Sequence, residues 1–188
     1  PETAASLKES FDLLVSDRVW PGIEKQVLLR KRPASTVTIP AIDPSNAIVS
    51  LFTSGSTGRP KRVRKSLADL ESEARAVDAM LAAVAAPDAW VQATATHQHL
   101  YGLTFRLCWP LASGRPFSGR TEEYWEPTLA RIEAGCVLVS SPAHLTRLGG
   151  LDALPADRRP CFATSGGAPL PQSAVDTVRE IIGCDVVE

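Results

Sequence analysis

The 188-residue sequence has no apolar run near the ~20 residues that a membrane helix requires. Its start, PETAASLKES, carries neither a basic stretch nor an apolar signal segment. It begins at Pro1 rather than Met, so residues are expected to precede it in the natural protein. Formal net charge is only −1, so no global field recruits nucleic acid or an anionic membrane surface. The four cysteines, Cys108, Cys136, Cys161 and Cys184, never fall within two to four residues of one another. A cysteine-rich zinc site therefore has no support, and buried, reduced thiols in a cytoplasmic protein are expected. Internal repeats and low-complexity tracts are absent too.

What is present is a globular composition. With 44% hydrophobic residues, a chain of this length buries roughly 70% of its unfolded surface. Residues 1–46 read as irregular with one short helix, because Pro21, Pro33, Pro40 and Pro44 interrupt anything longer. Residues 47–188 then alternate strand and helix patterns. AIVSLFTS (Ala47–Ser54) reads as a buried strand and Lys61–Lys65 as a short basic strand. Leu67, Leu70, Ala74, Val77, Leu81 and Val84 form one helical stripe, opened by a Ser66/Asp69 capping box and ended by Pro87. AWVQATA (Ala89–Ala95), CVLVSS (Cys136–Ser141), CFATS (Cys161–Ser165) and CDVVE (Cys184–Glu188) read as strands. Helices are expected over Tyr101–Leu111, Trp125–Ala134 and Pro142–Leu148, and from Pro171 with Val175, Val178 and Ile182 inward. This alternation predicts an α/β fold, a mostly parallel sheet covered by helices.

The most informative segment is TSGSTGRPK (Thr53–Lys61). Glycines let backbone N–H groups approach a polyphosphate, hydroxyls add donors and a lysine adds charge. It is not a Walker loop. With four residues between the glycines, the second counted from Gly55 would fall at position 60, which is Pro60, and Arg62 stands where Ser or Thr should follow the lysine. The Rossmann fingerprint and the hydrolase G-x-S-x-G elbow are absent as well. On composition alone, a solvated Ser/Gly turn explains the segment nearly as well.

LFTSGSTGRPKRV (Leu51–Val63) resembles the phosphate-loop signature of the adenylate-forming superfamily, which includes acyl-CoA and aryl-CoA synthetases, luciferases and peptide-synthetase adenylation domains. Two further segments resemble that family in the same order. HQHLYGL (His97–Leu103) is similar to its second core segment, an aromatic or His followed three residues later by Gly. The resemblance assigns His99, with Tyr101 and Gly102, to the wall of an acyl-substrate pocket. Read by themselves, His97 and His99 also fit strand-end residues or a weak metal pair; two nitrogens without a third ligand make a poor site. His97 is expected to be structural and His144 has no evident role. TSGGAPLP (Thr164–Pro171) is similar to the family's turn against adenine, which implies Gly166, Gly167, Ala168 and Pro169 there; an ordinary strand-to-helix turn is the other reading.

The resemblance implies ATP-dependent activation of a carboxylic acid as an acyl-adenylate, then transfer to a thiol of CoA or a carrier-protein phosphopantetheine. It assigns Thr53, Ser54, Gly55, Ser56, Thr57, Gly58 and Lys61 to the nucleotide phosphates. ATP and Mg2+ are the implied cofactors, with the magnesium-holding Glu expected beyond residue 188 and no catalytic residue or metal ligand assigned within the chain. The expected organisation is an N-terminal segment, 1–46, and a nucleotide-binding α/β subdomain, 47–188, without the C-terminal catalytic lobe. Such a fragment is expected to form no adenylate alone. The alternative is a non-catalytic nucleotide-binding or regulatory module of the same fold; a coding region continuing past Glu188 with a Thr-Glu segment and a late Lys would favour the enzyme. The basic group Arg59, Lys61, Arg62, Arg64 and Lys65 lacks an aromatic ladder, which argues against nucleic acid. It could instead meet CoA phosphates or an acidic carrier. Tyr101, Phe105 and Trp109 at helical spacing fit core or an acyl pocket, and a fatty or aromatic acid is favoured over an amino acid.

Overall fold

The computed structural model describes residues 12–29, 41–53 and 61–188. The chain divides into two units between Ala41 and Ile42. Strands β1 (Leu14–Ser16) and β2 (Gln26–Leu28) of the first unit pair in parallel. The Gln26 amide fixes the connection by donating to the Trp20 and Ile23 carbonyls (3.1 and 2.6 Å) and accepting from the Trp20 N–H (2.9 Å). The short helix expected in this stretch is not among the described residues.

The second unit opens with a hairpin. Strands β3 (Ile48–Thr53) and β4 (Lys61–Ser66) are antiparallel, with Thr53 paired to Lys61. The glycine loop thus leaves and re-enters a paired ladder, while Ser54, Gly55, Ser56, Thr57 and Gly58 themselves lie outside the described residues. The pleat divides the basic strand. Arg62 and Arg64 are exposed, and Arg62 donates to Ser50 Oγ (3.1 Å). Lys65 turns the other way and pairs with Glu73. The run of cations is therefore not one surface.

Strand β4 feeds directly into helix α1 (Leu67–Leu81). Ser66 Oγ accepts from the Asp69 N–H (3.1 Å), and Asp69 Oδ2 accepts from the Ser66 N–H (2.9 Å). Leu70, Ala74, Val77 and Leu81 are the buried stripe. The helix stops at Leu81, well before Pro87, so Val84 falls in the following turn and is 51% exposed.

The remaining strands form one parallel sheet in the order β5 (Val91–Ala93), β6 (Val137–Ser140), β7 (Phe162–Ser165) and β8 (Val186–Val187). Both faces are covered, as parallel sheets require. Val137, Val139 and Phe162 pack with Ala74, Val77, Leu81 and Trp109. Leu138 and Ala163 pack with Trp125, Leu145, Leu148, Val178 and Ile182 on the other side. The second cluster uses helices α4 (Trp125–Arg131), α5 (Pro142–Leu145) and α6 (Gln172–Ile181).

The helix expected at Tyr101–Leu111 is a composite. Helix α2 (Leu100–Gly102) widens into a π-helix over Leu103–Cys108 and continues as α3 (Trp109–Ser113). Pro110 has no N–H to give the Arg106 carbonyl and its ring crowds that turn. The widened turn accommodates it, and the Trp109 N–H bonds to the Thr104 carbonyl. Trp109 is fully buried, donating from Nε1 to Asp78 (2.9 Å).

The cysteine expectation needs correction. Cys136 and Cys184 are buried free thiols, but Cys108 is half-buried and Cys161 is exposed. Cys161 precedes strand β7 rather than lying in it, so the sheet does not cover it. Among the described residues, no helix is long and apolar enough to cross a membrane.

Candidate functional site

The carboxyl ends of β5, β6 and β7 open onto one cleft of about 370 Å³. In open parallel sheets this end is where ligands bind, because the loops there diverge around a crevice. Thr94, Ala95 and Thr96 come from the loop after β5, Ser141 from just past the end of β6 and His144 from α5 that follows it, and Gly166 and Gly167 from the loop after β7. His99, Tyr101 and Gly102 enter from the start of α2. Two segments 63 residues apart, singled out separately in the sequence, therefore share one wall.

Their contact is direct. The Tyr101 hydroxyl bonds Thr164 Oγ1 at 2.6 Å, on the strand that leads into the glycine turn. The Tyr101 ring lies so close over Gly166 that a Cβ there would overlap it. Gly102 is constrained in the same way, since a Cβ would run into the Thr96 carbonyl. Gly167 has φ +100°, a conformation that side chains rarely adopt. Burial pushes the Tyr101 phenol up to about 12, against the opposing effect of the Thr164 bond. It is therefore a neutral hydroxyl near neutral pH. Its ring stacks tilted on Phe105 at 4.8 Å, and Phe105 meets Trp109 edge-on at 6.5 Å. Of the three aromatics, Trp109 is core and Tyr101 reaches the cleft.

His99 is exposed and stands at the N-cap position of α2 with an extended backbone (φ −106°, ψ 149°), its side chain making no capping bond. His97, two residues earlier, points elsewhere and bonds Arg106. Among the described residues, no three His, Cys, Asp or Glu side chains gather into a metal-holding group. Ala168 and Pro169 are exposed beside the cleft, and the described lining takes only the two glycines of that turn. Lys61 is exposed at the start of β4.

Sequence reasoning missed His144, whose Nε2 lies 3.1 Å from the Glu123 carbonyl and whose ring meets Trp125 edge-on. It also missed a row of hydroxyls at the strand ends. Thr94 Oγ1 and Ser140 Oγ are 2.8 Å apart, and Ser140 is in register with Ser165. Ser165 Oγ is buried with no hydrogen-bond partner among the described residues. Signals existed for both: His144 and the hydroxyls stand at or just after strand ends, where the parallel-sheet rule collects functional groups.

The chain matches the model of the AMP-binding enzyme family over residues 3–188 and belongs to that family. No curated protein sequence matches it. Among solved structures, it is similar to a malonyl-CoA ligase in a ternary product complex with methylmalonyl-CoA and AMP, at TM-score 0.77 and 22% identity, covering 98% of this chain and 42% of that one. It is similar to the O-succinylbenzoate CoA synthetase of Bacillus subtilis in complex with AMP, at TM-score 0.74 and 20% identity, covering 98% and 50%. It also resembles a benzoate CoA ligase from Burkholderia xenovorans LB400, at TM-score 0.62 and 23% identity, covering 78% and 30%. These likenesses establish the adenylate-forming fold, and the chain spans half or less of each relative's length.

Proposed function

We propose that the protein carrying this chain activates a carboxylic acid with ATP as an acyl-adenylate and passes the acyl group to a thiol, on CoA or a carrier-protein phosphopantetheine. The observation that carries the reading is the shared cleft, in which the Tyr101 ring packs on Gly166 at the carboxyl ends of parallel strands. Membership of the AMP-binding family supports the nucleotide half of the reaction. Structural relatives holding AMP, and in one case AMP with an acyl-CoA, support a reaction that uses both a nucleotide and a thiol acceptor.

In this reading, the nucleotide base lies along the Gly166–Pro169 turn, where small residues let a planar ring approach the backbone. The loop from Thr53 through Gly58, with Lys61, takes the phosphates. The acid lies between His99, Tyr101 and Gly102. The His99 imidazole can donate to the carboxylate oxygen that carries charge during adenylation. Tyr101 and the small residues around it suit an acid with an uncharged body, fatty or aromatic. Magnesium would neutralise phosphate charge during this chemistry.

The test is acid-dependent exchange of labelled pyrophosphate into ATP by the intact gene product, over a panel of fatty, aromatic and amino acids. Exchange with a fatty or aromatic acid is expected, and none from residues 1–188 alone. Nucleotide binding without exchange for any acid would favour a regulatory module and overturn the proposal.

A further inference from the structure

Arg106 lies in the π-helical turn and is 4% exposed. Arginine keeps its charge in proteins, and burying a charge without a counter-ion is costly. The other arginine buried among the described residues shows the usual remedy: Arg115 pairs with Asp78 at 3.1 Å and lies over the Trp109 ring. Among the described residues, Arg106 pairs with no carboxylate. Its Nη1 instead bonds His97 Nδ1 at 3.2 Å and Thr121 Oγ1. An apolar side chain would fill this position at lower cost, so what the guanidinium holds bears on its role.

What it holds is the loop after β5. Gly102 packs its backbone against the Thr96 carbonyl, and four residues on, Arg106 grips His97 from the same helical segment. Thr96 and His99, the neighbours of His97, line the cleft. We propose that Arg106 is a positioning residue, clamping the loop that presents Thr96 and His99 to the acid and tying it to the segment before α4 through Thr121. This rests on reading the cleft as the acid site. Because a guanidinium only donates, His97 Nδ1 must accept, which places the His97 proton on Nε2.

The experiment uses the intact gene product with His97→Ala, Arg106→Lys and the double variant. His97 is exposed, so its truncation spares the core, and Lys keeps the charge but not the planar fork. Each single variant should raise the KM for the acid on the order of tenfold to a hundredfold in pyrophosphate exchange, with the KM for ATP unchanged. The double variant should be no worse than either. Nitrogen NMR of the imidazoles should find His97 protonated at Nε2 alone in the wild type and mixed between tautomers in Arg106→Lys. Unchanged acid KM in both single variants, or equal rises for acid and ATP, overturns the clamp. If the wild type exchanges with no acid, the acid-activation reading fails separately. The tautomer measurement then decides the clamp: a single Nε2–H form supports it, and a mixture in the wild type overturns it.

Discussion

Two turns in this chain contain adjacent glycines, Gly149–Gly150 and Gly166–Gly167, and the structure uses them differently. At Gly149 and Gly150 an added Cβ would meet nothing within 4 Å. That pair serves chain reversal on the surface, and only Gly150 needs it, at φ +86°. At Gly166 the added Cβ would meet the Tyr101 ring, which is itself tied to Thr164. Gly150 and Gly167, at φ +86° and +100°, both answer to local backbone geometry; Gly166 answers to a residue 65 positions earlier. Adjacent glycines are therefore a weak signal until something is shown to press against them.

The comparison can be broken by adding single methyl groups. The largest effect is expected at Gly102, where the obstacle is the Thr96 carbonyl, a backbone group that cannot swing aside. Gly102→Ala should cost about 3 kcal/mol, at the upper end for overpacking, read from urea unfolding. At Gly166 the obstacle is a side chain. Gly166→Ala should cost about 1–2 kcal/mol and suppress acid-dependent exchange. Adding Tyr101→Ala should remove the clash, so the two changes should be non-additive by more than about 0.5 kcal/mol. Ser66→Ala, which removes a local cap remote in sequence from either turn, should cost about 1 kcal/mol.

A smaller effect is confined to acid. The Trp109 indole N–H, followed by Arg115, holds the Asp78 carboxyl below its ordinary 3.8. A depressed folded pKa means that this stabilisation is complete above 3.8 and is lost as pH falls through the lower folded value. Asp78→Asn should flatten that acid limb of the thermal midpoint. Gly149→Ala should lie within about 0.5 kcal/mol of wild type. A cost there matching that of Gly166→Ala would erase the distinction between the two turns.

The parts legible in the sequence were those with local causes. The α1 stripe and its capping box follow from spacing alone, and the apolar runs of β6 and β7 from β-branched and small residues between turn signals. The family was legible through three core segments in order; two of them meet at the cleft, and most of the glycine loop lies outside the described residues. What escaped needs tertiary context. Pro110 announces trouble in a helix, but whether the chain breaks, kinks or widens is settled by the packing around it, where Trp109 is buried and bonded to Asp78. The apolar neighbours of Cys161 suggested burial, yet the strand begins one residue later. Val84 continues the stripe by spacing while the helix has already ended. His144 carries no motif; its place just after β6 was the one signal, and the adjacency of β6 and β7 brings it to the same cleft as the glycine turn.

The most direct measurement is acid-dependent pyrophosphate exchange by the intact gene product, run side by side for wild type, Gly149→Ala and Gly166→Ala. Robust exchange in the first two and strong suppression in the third is the expected result. Equal exchange in all three, or none in the wild type with any acid, would contradict an adenylate forming where Tyr101 meets Gly166.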